Sequence, residues 1–258
     1  MIFKWTVLFV CGLVGICQSA FVDTLQKCSI TDGECLKVLI QSVLNNTADS
    51  GIKEAKIQPF DPIKLKNVPV SVLGLLNITF VDGVAKGVKN CVVDSITTEL
   101  EKSHTVMELT CDIVIKGRFT AIGANPLIQS LFGGNGIRGD GNAKVKIDKL
   151  HLKLEYFYEF LKKEDGEIYI ECHPERTLYE YSMAGLKISA DNIFLGDQDA
   201  SGLVVPVLNE NWKFVMDSFG RSFFDVAMKI FFDIASKFFK TTPTKYYLTD
   251  DLTPYVSN

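Results

Sequence analysis

The sequence predicts an α+β fold in which a long C-terminal helix is wrapped by a highly curved antiparallel sheet. Three observations lead there. Residues from about Val207 to Lys240 read as one long helix, aromatic over most of its surface and charged along a single thread. From Val68 to Ala190 apolar and polar residues alternate with the period of a strand. That alternation also slips phase inside one long strand, the mark of a bulge that bends and twists a sheet.

The helix charges Lys213, Asp217, Arg221, Asp225, Lys229, Asp233 and Lys237 alternate in sign at every fourth position. This spacing sets opposite charges side by side on a helix surface. An ordinary surface helix carries an apolar stripe and a broad polar face. Here the ratio is inverted, which calls for a cover around most of the circumference. Thirty-odd residues at ~1.5 Å rise make a rod of ~50 Å, and each four-residue step advances the thread ~40° around the axis. A strongly twisted wrapper follows such a winding line where a flat sheet does not.

In the strand region Leu76, Ile78 and Phe80 alternate with Asn77 and Thr79, and Met107, Leu109, Cys111 and Ile113 with Glu108, Thr110 and Asp112. Val145 and Ile147 carry an apolar face that passes to Leu150, Leu152, Leu154 and Tyr156 in the opposite phase. Ile168, Ile170 and Cys172 continue after the Glu164-Asp165-Gly166 turn, and Leu186 and Ile188 close the series. One apolar and one wet face describe an antiparallel meander. Ahead of it, Leu36, Leu39, Ile40, Val43 and Leu44 predict a short amphipathic helix over Glu34–Leu44, ended by the turn residues of 45–51. Residues 57–62, with Pro59 and Pro62, read as extended. After the long helix a Thr-Thr-Pro stop leaves 244–258 as an expected loose tail.

Residues 1–20 read as a secretory signal peptide: one Lys, an apolar run, then small residues, with cleavage after Ser19 or Ala20. A single domain then spans 21–243, secreted and extracellular. No later run offers about twenty uninterrupted apolar residues, so stable membrane insertion is not expected. With 27 basic and 31 acidic residues the formal charge is −4, which speaks against nucleic acid as a partner.

Beyond the signal stand Cys28, Cys35, Cys91, Cys111 and Cys172. The close pair Cys28 and Cys35 is an expected disulfide in a secreted chain. The other three cannot all pair. Cys111 and Cys172 both fall on apolar strand faces, as buried thiols or as a bridge across the interior. No CxxC pair or His cluster suggests a metal. Asn45-Asn46-Thr47 and Asn77-Ile78-Thr79 are glycosylation sequons, Asn45 in an expected loop.

The catalytic motifs fail on context. Gly134-Asn135-Gly136-Ile137-Arg138-Gly139 fits GxGxxG, but strand alternation follows it instead of the helix N-terminus that a pyrophosphate needs. Residues 197–202 resemble the front of a calcium loop, yet Leu208 stands where the bidentate acid belongs. His104, His151 and His173 sit neither at HExxH spacing nor beside a GxSxG elbow. No enzyme activity and no cofactor is expected. Alternation nominates instead an apolar bore lined by Leu76, Ile78, Phe80, Met107, Leu109, Ile113, Phe219, Phe223, Val226, Ile230 and Ile234.

The order of features resembles the insect juvenile hormone-binding protein and takeout family. The marks are the signal followed by Cys28-x6-Cys35 and Leu36, the Gly51-Ile52…Ile57…Pro59…Asp61-Pro62 stretch, Phe194…Gly196-Asp197, and Leu208-Asn209-Glu210-Asn211-Trp212 opening the last helix. The resemblance implies a tubular lipid-binding (TULIP-like) fold and a secreted carrier of a small hydrophobic ligand, such as a juvenile hormone-like terpenoid, fatty acid or isoprenoid. It also implies a link to clock-controlled, feeding or chemosensory behaviour. The alternative of a different class is a secreted interaction protein with a filled core, whose partner is a cell-surface receptor or a membrane. A lipid-ester hydrolase ranks last.

Overall fold

The computed structural model describes residues 21–123, 126, 130 and 136–257. The expected signal peptide and part of the GxGxxG stretch lie outside the described residues. A short helix α1 (Gly33–Thr47) precedes ten strands: β1 (Ile63–Val72), β2 (Leu76–Lys86), β3 (Val92–Glu99), β4 (His104–Gly123), β5 (Ile137–Lys162), β6 (Ile168–Cys172), β7 (Leu178–Ser182), β8 (Gly185–Ala190), β9 (Ile193–Leu195) and β10 (Gln198–Asp199). Helices α2 (Ser201–Glu210) and α3 (Trp212–Thr241) follow.

The strands form one antiparallel sheet of order β1-β2-β4-β5-β9-β10, with β3 on β4 and with β6, β7 and β8 on β5. Strands β4 and β5, of 20 and 26 residues, are its spine. Each is long enough to take different partners along its length. The phase slip seen in the sequence is a bulge. Cys111 faces Leu150 but Ile113 faces Ile147, and Lys149 sits at φ 50° with its N–H donated to Asp112 Oδ1 at 2.8 Å.

The sheet closes on the helix without closing on itself. Helix α3 is touched by β1 from one side and by β6 and β8 from the other. A row of small residues across the inner face permits this coil: Gly83, Gly117, Ala143 and Ala190 stand opposite one another on β2, β4, β5 and β8. A Cβ on Gly117 would lie 2.2 Å from the Asp82 carbonyl oxygen, and one on Gly83 would lie 2.7 Å from that of Lys116. Strand β1 forms the free rim and carries exposed Lys64, Lys66 and Pro69.

The long helix differs from the sequence expectation in two ways. It starts earlier, at Ser201, and it breaks at Asn211, which takes φ −109° and ψ 24°. The asparagines explain the break, because their amides compete for backbone groups. The Asn211 amide donates to Val207 O at 2.9 Å, while Asn209 accepts from Ile188 N at 2.7 Å and donates to Ile188 O at 2.8 Å. Asn209 thereby completes the ladder at the edge of β8. Of the charged thread, Arg221–Asp225 at 3.3 Å is the one i,i+4 pair within ion-pair distance. Exposed pairs contribute only about 0–1 kcal/mol, too little to hold long side chains in register.

The C-terminal segment also differs, being packed where a loose tail was expected. Tyr247, Leu248 and Leu252 are buried with Cys28, Leu36, Leu39, Tyr158 and Phe160. Cys28 N donates to Tyr247 O at 3.0 Å and Thr249 N to Cys28 O at 2.9 Å. These partners lie more than two hundred residues apart in sequence, so no local pattern announces them. Cys28 is bonded to Cys35, and Asp32 caps α1 by accepting from Cys35 N at 3.0 Å. The second disulfide is Cys91–Cys111, which leaves Cys172 as the free thiol. The bridge across the interior from Cys111 to Cys172 is thereby replaced by one between β4 and the residue leading into β3. Asn45 lies in the last turn of α1, not in a loop, and Asn77 on β2; both are exposed.

The glycine row sets a test. Replacing Gly117 by Ala should lower unfolding free energy by about 1–3 kcal/mol, as for other forced overpacking. Gly202→Ala, in α2 with nothing within 4 Å, should leave it unchanged or raise it by up to ~1 kcal/mol. Urea midpoints of the two variants decide it.

Candidate functional site

Helix α3 buries one stripe, formed by Met216, Gly220, Phe224, Met228 and Phe232. These residues meet Met107, Leu109, Leu150, Leu152, Leu154, Tyr179 and Leu186 from the inner sheet face in the main core. Strand β7 meets this stripe through its side chains. Its Tyr181 ring stacks on Phe224 at 4.0 Å, and its hydroxyl donates to Met216 O at 3.0 Å. Gly220 lies beneath it, where a Cβ would sit 2.4 Å from that hydroxyl and displace it. Tyr179 donates to Asp225, and Arg221 covers the Tyr179 ring at 4.0 Å. Burial, then the Asp225 carboxylate, pushes the Tyr179 hydroxyl well above its usual pKa.

The eleven nominated residues divide into three groups. Met107 and Leu109 are packed core, and Ile113 leans on the same cluster. Phe219, Phe223, Val226 and Ile230 of α3 are half-buried and stand outside the three packed clusters; Ile234 leans on the small cluster of Ala48, Ile52, Ala55, Ile57 and Phe60. Leu76, Ile78 and Phe80 are half-buried on the inner face of β2, where Ile78 and Phe80 face Ala121 and Phe119. The β2 group is therefore not beside the core pair. Position 119 lies twelve residues along β4 from position 107, roughly 40 Å at ~3.4 Å per residue. Among the described residues the inner face is thus a long apolar surface, packed at its middle and half-buried at the flank of α3 and toward the β2 end. At that end the Phe119 ring lies over Gly139, where a Cβ would be 2.8 Å from it.

Polar groups cluster at the other end. The hydroxyls of Tyr158 and Tyr247 are buried without a hydrogen-bond partner among the described residues. Burial pushes Tyr158 up to about 12, against a lowering by Thr105, and raises Tyr156 and Tyr247 further, with Cys172 adding to the rise in all three. Burial likewise pushes Cys172 up to about 11, against a lowering by Lys240. Sequence reasoning missed this cluster, because only the docked tail brings Tyr247 to it.

The histidines meet carboxylates. His104 lies 3.6 Å from both Glu99 and Glu155, His151 3.2 Å from Glu108, and His173 3.3 Å from Glu175. Among the described residues no group of three or more His, Cys, Asp or Glu is placed to hold a metal, and no helix is long and apolar enough to cross a membrane.

Comparison with known proteins agrees with this architecture. The family model for haemolymph juvenile hormone binding protein (JHBP) matches residues 6–249. The crystal structure of Epiphyas postvittana Takeout 1 superposes with a TM-score of 0.74 at 24% identity, over 88% of this chain and 100% of that one. No curated protein matches.

Two measurements separate core from flank. Phe224→Ala should cost about 3–5 kcal/mol of stability, whereas Phe223→Ala, half-exposed, should cost less than about 2 kcal/mol by chemical denaturation. With its pKa near 11, Cys172 holds almost no thiolate at neutral pH. A disulfide-exchange reagent should therefore leave it unlabelled in the native protein and label it fully once unfolded.

Proposed function

Since the chain belongs to the haemolymph juvenile hormone binding protein family, we propose that it is a secreted carrier that shelters one small apolar ligand along the inner face of its sheet. A terpenoid, fatty acid or isoprenoid fits the chemistry of that surface. The observation that carries this reading is the helix flank of Phe219, Phe223, Val226 and Ile230, apolar yet only half-buried. Leu76, Ile78 and Phe80, half-buried and apolar on β2, support the same reading.

The mechanism needs no covalent chemistry. Removing ~300 Å² of apolar ligand surface from water contributes ~7 kcal/mol at about 25 cal/mol per Å². Ordering and association subtract from this gross figure, which leaves affinity set by how well the ligand fills the flank. Juvenile hormone, named by the family's description, is one member of that ligand class. The two disulfides and the apolar leader at 1–20 support secretion. Links to daily rhythm, feeding or chemosensation belong to this proposal as the setting in which such a carrier would act.

One observation favours the second reading, an interaction protein acting on a receptor or membrane. Leu203 and Phe214, at 65% and 66% exposure, present apolar groups at the start of the helical segment. The experiment is organic extraction of the purified protein with mass spectrometry, followed by displacement of a fluorescent apolar probe. The carrier reading expects bound lipid, probe uptake, and loss of uptake in a folded Phe223→Asp variant. Absence of both lipid and probe binding would overturn the carrier reading and favour the second.

A further inference from the structure

The outer face of the sheet carries charge that the fold does not use. Two adjacent cross-strand rows can be read from the register. The first is Lys64, Val84, Lys116, Lys144 and Ser189 on β1, β2, β4, β5 and β8. The second, displaced by two residues, is Lys86, Val114, Lys146 and Lys187 on β2, β4, β5 and β8. These rows hold six lysines and no carboxylate. All six are exposed, and none is within ion-pair distance of an acid among the described residues. Lys116 stands directly opposite Lys144, and Lys146 opposite Lys187. Like charges in that position destabilise a sheet. The pairs are therefore a cost to the fold that neutral residues would not incur.

The block is also hollowed. A shallow trough of about 710 Å³ runs over Val84, Lys116, Lys144 and Ser189, past the Gly83–Gly117 crossing where the strands bend. One wall of the trough carries Lys116 and Lys144 and the opposite wall Asp82 and Asp191, so the unbalanced positive charge lies on the lysine rows to one side of it, with Asp148 beyond them. Asp191 is already engaged, accepting from Asn142 N at 2.7 Å.

We propose that these two lysine rows are a docking surface for a linear sulfated polysaccharide. Five strands at ~4.8 Å spacing give a cationic track of roughly 19 Å, open at both ends as an extended polymer requires. Lysine suits such a partner, because a mobile point charge meets irregularly spaced sulfates where a rigid guanidinium fork demands a fixed geometry. Nucleic acid fits poorly: the track offers no aromatic platform for bases. Two disulfides place the chain in an oxidising compartment, outside which anionic lipid is concentrated on the cytoplasmic leaflet. Docking on the outer face leaves the inner face free, so it is independent of the carrier reading and would hold the protein at a cell surface or matrix.

The test is fluorescence anisotropy of a labelled heparin oligosaccharide with the full secreted chain across a salt series. Lys116→Ala/Lys144→Ala/Lys146→Ala/Lys187→Ala should bind roughly tenfold or more weakly, with a shallower salt dependence as fewer counterions are released. Lys144→Ala/Lys146→Ala, confined to one strand, should move in the same direction. A variant with the same loss of charge elsewhere, Lys53→Ala/Lys162→Ala/Lys229→Ala/Lys237→Ala, should bind nearly as the parent does, and desulfated heparin should not bind. Equal losses in the two quadruple variants, absence of heparin binding, or binding to phosphatidylserine vesicles in its place would overturn the proposal.

Discussion

The contact on which the molecule depends is the seam between α3 and the sheet. Met216, Gly220, Phe224, Met228 and Phe232 recur at intervals of four, whereas a helix repeats at ~3.6 residues, so the seam turns ~40° at each step. Over its length the buried line winds ~160° around the rod. Any surface that stays in contact with it must rotate by the same amount. The charged thread, one position further along, winds with it and remains wet throughout. The coil of the sheet is therefore a geometric answer to the helix, and the small residues at 83, 117, 143 and 190 are what the answer requires of the strands.

Once the sheet follows the seam, the rest of the architecture is constrained. The flank of α3 beside the seam lies outside the packed clusters of the described residues, and the rim strand β1 reaches the helix through Ile63 and the cluster shared with Ile234 and Phe238. The far end is sealed by a different device. Helix α1, stapled by Cys28–Cys35, and the returning C-terminal segment share one cluster with Tyr158 and Phe160. Asp250 ties the two together by accepting from Ile30 N at 2.7 Å and from the Ser29 hydroxyl at 2.9 Å. One end of the interior is thus a compact plug, while the other is bordered by half-buried side chains.

Much of this was legible because it is periodic. The long apolar rod, the alternating strands and the phase slip at Ile147–Leu150 are all local patterns, and each has a direct counterpart in α3, the sheet and the Lys149 bulge. What escaped depends on partners distant in sequence. The break at Asn211 needs Asn209 to find Ile188 on β8. The Cys91–Cys111 bond needs the register that sets β3 against β4, and the order of the tail needs Cys28 and Phe160. Alternation named the inner-facing strand residues without separating those packed against the helix, Met107 and Leu109, from those outside that cluster, Leu76 and Phe80. That distinction belongs to the winding of the seam, which strand periodicity does not encode.

A tube sealed by a helix instead of by its own strands keeps a bare rim. On β1 that rim would be a template for a foreign strand, with amides and carbonyls facing outward. Pro69 removes one donor from the series, Asn67 at φ 51° breaks its regular line, and Lys64 and Lys66 would bring repelling charge against an identical neighbour. The molecule can thus remain unclosed without inviting copies of itself to stack into a fibre.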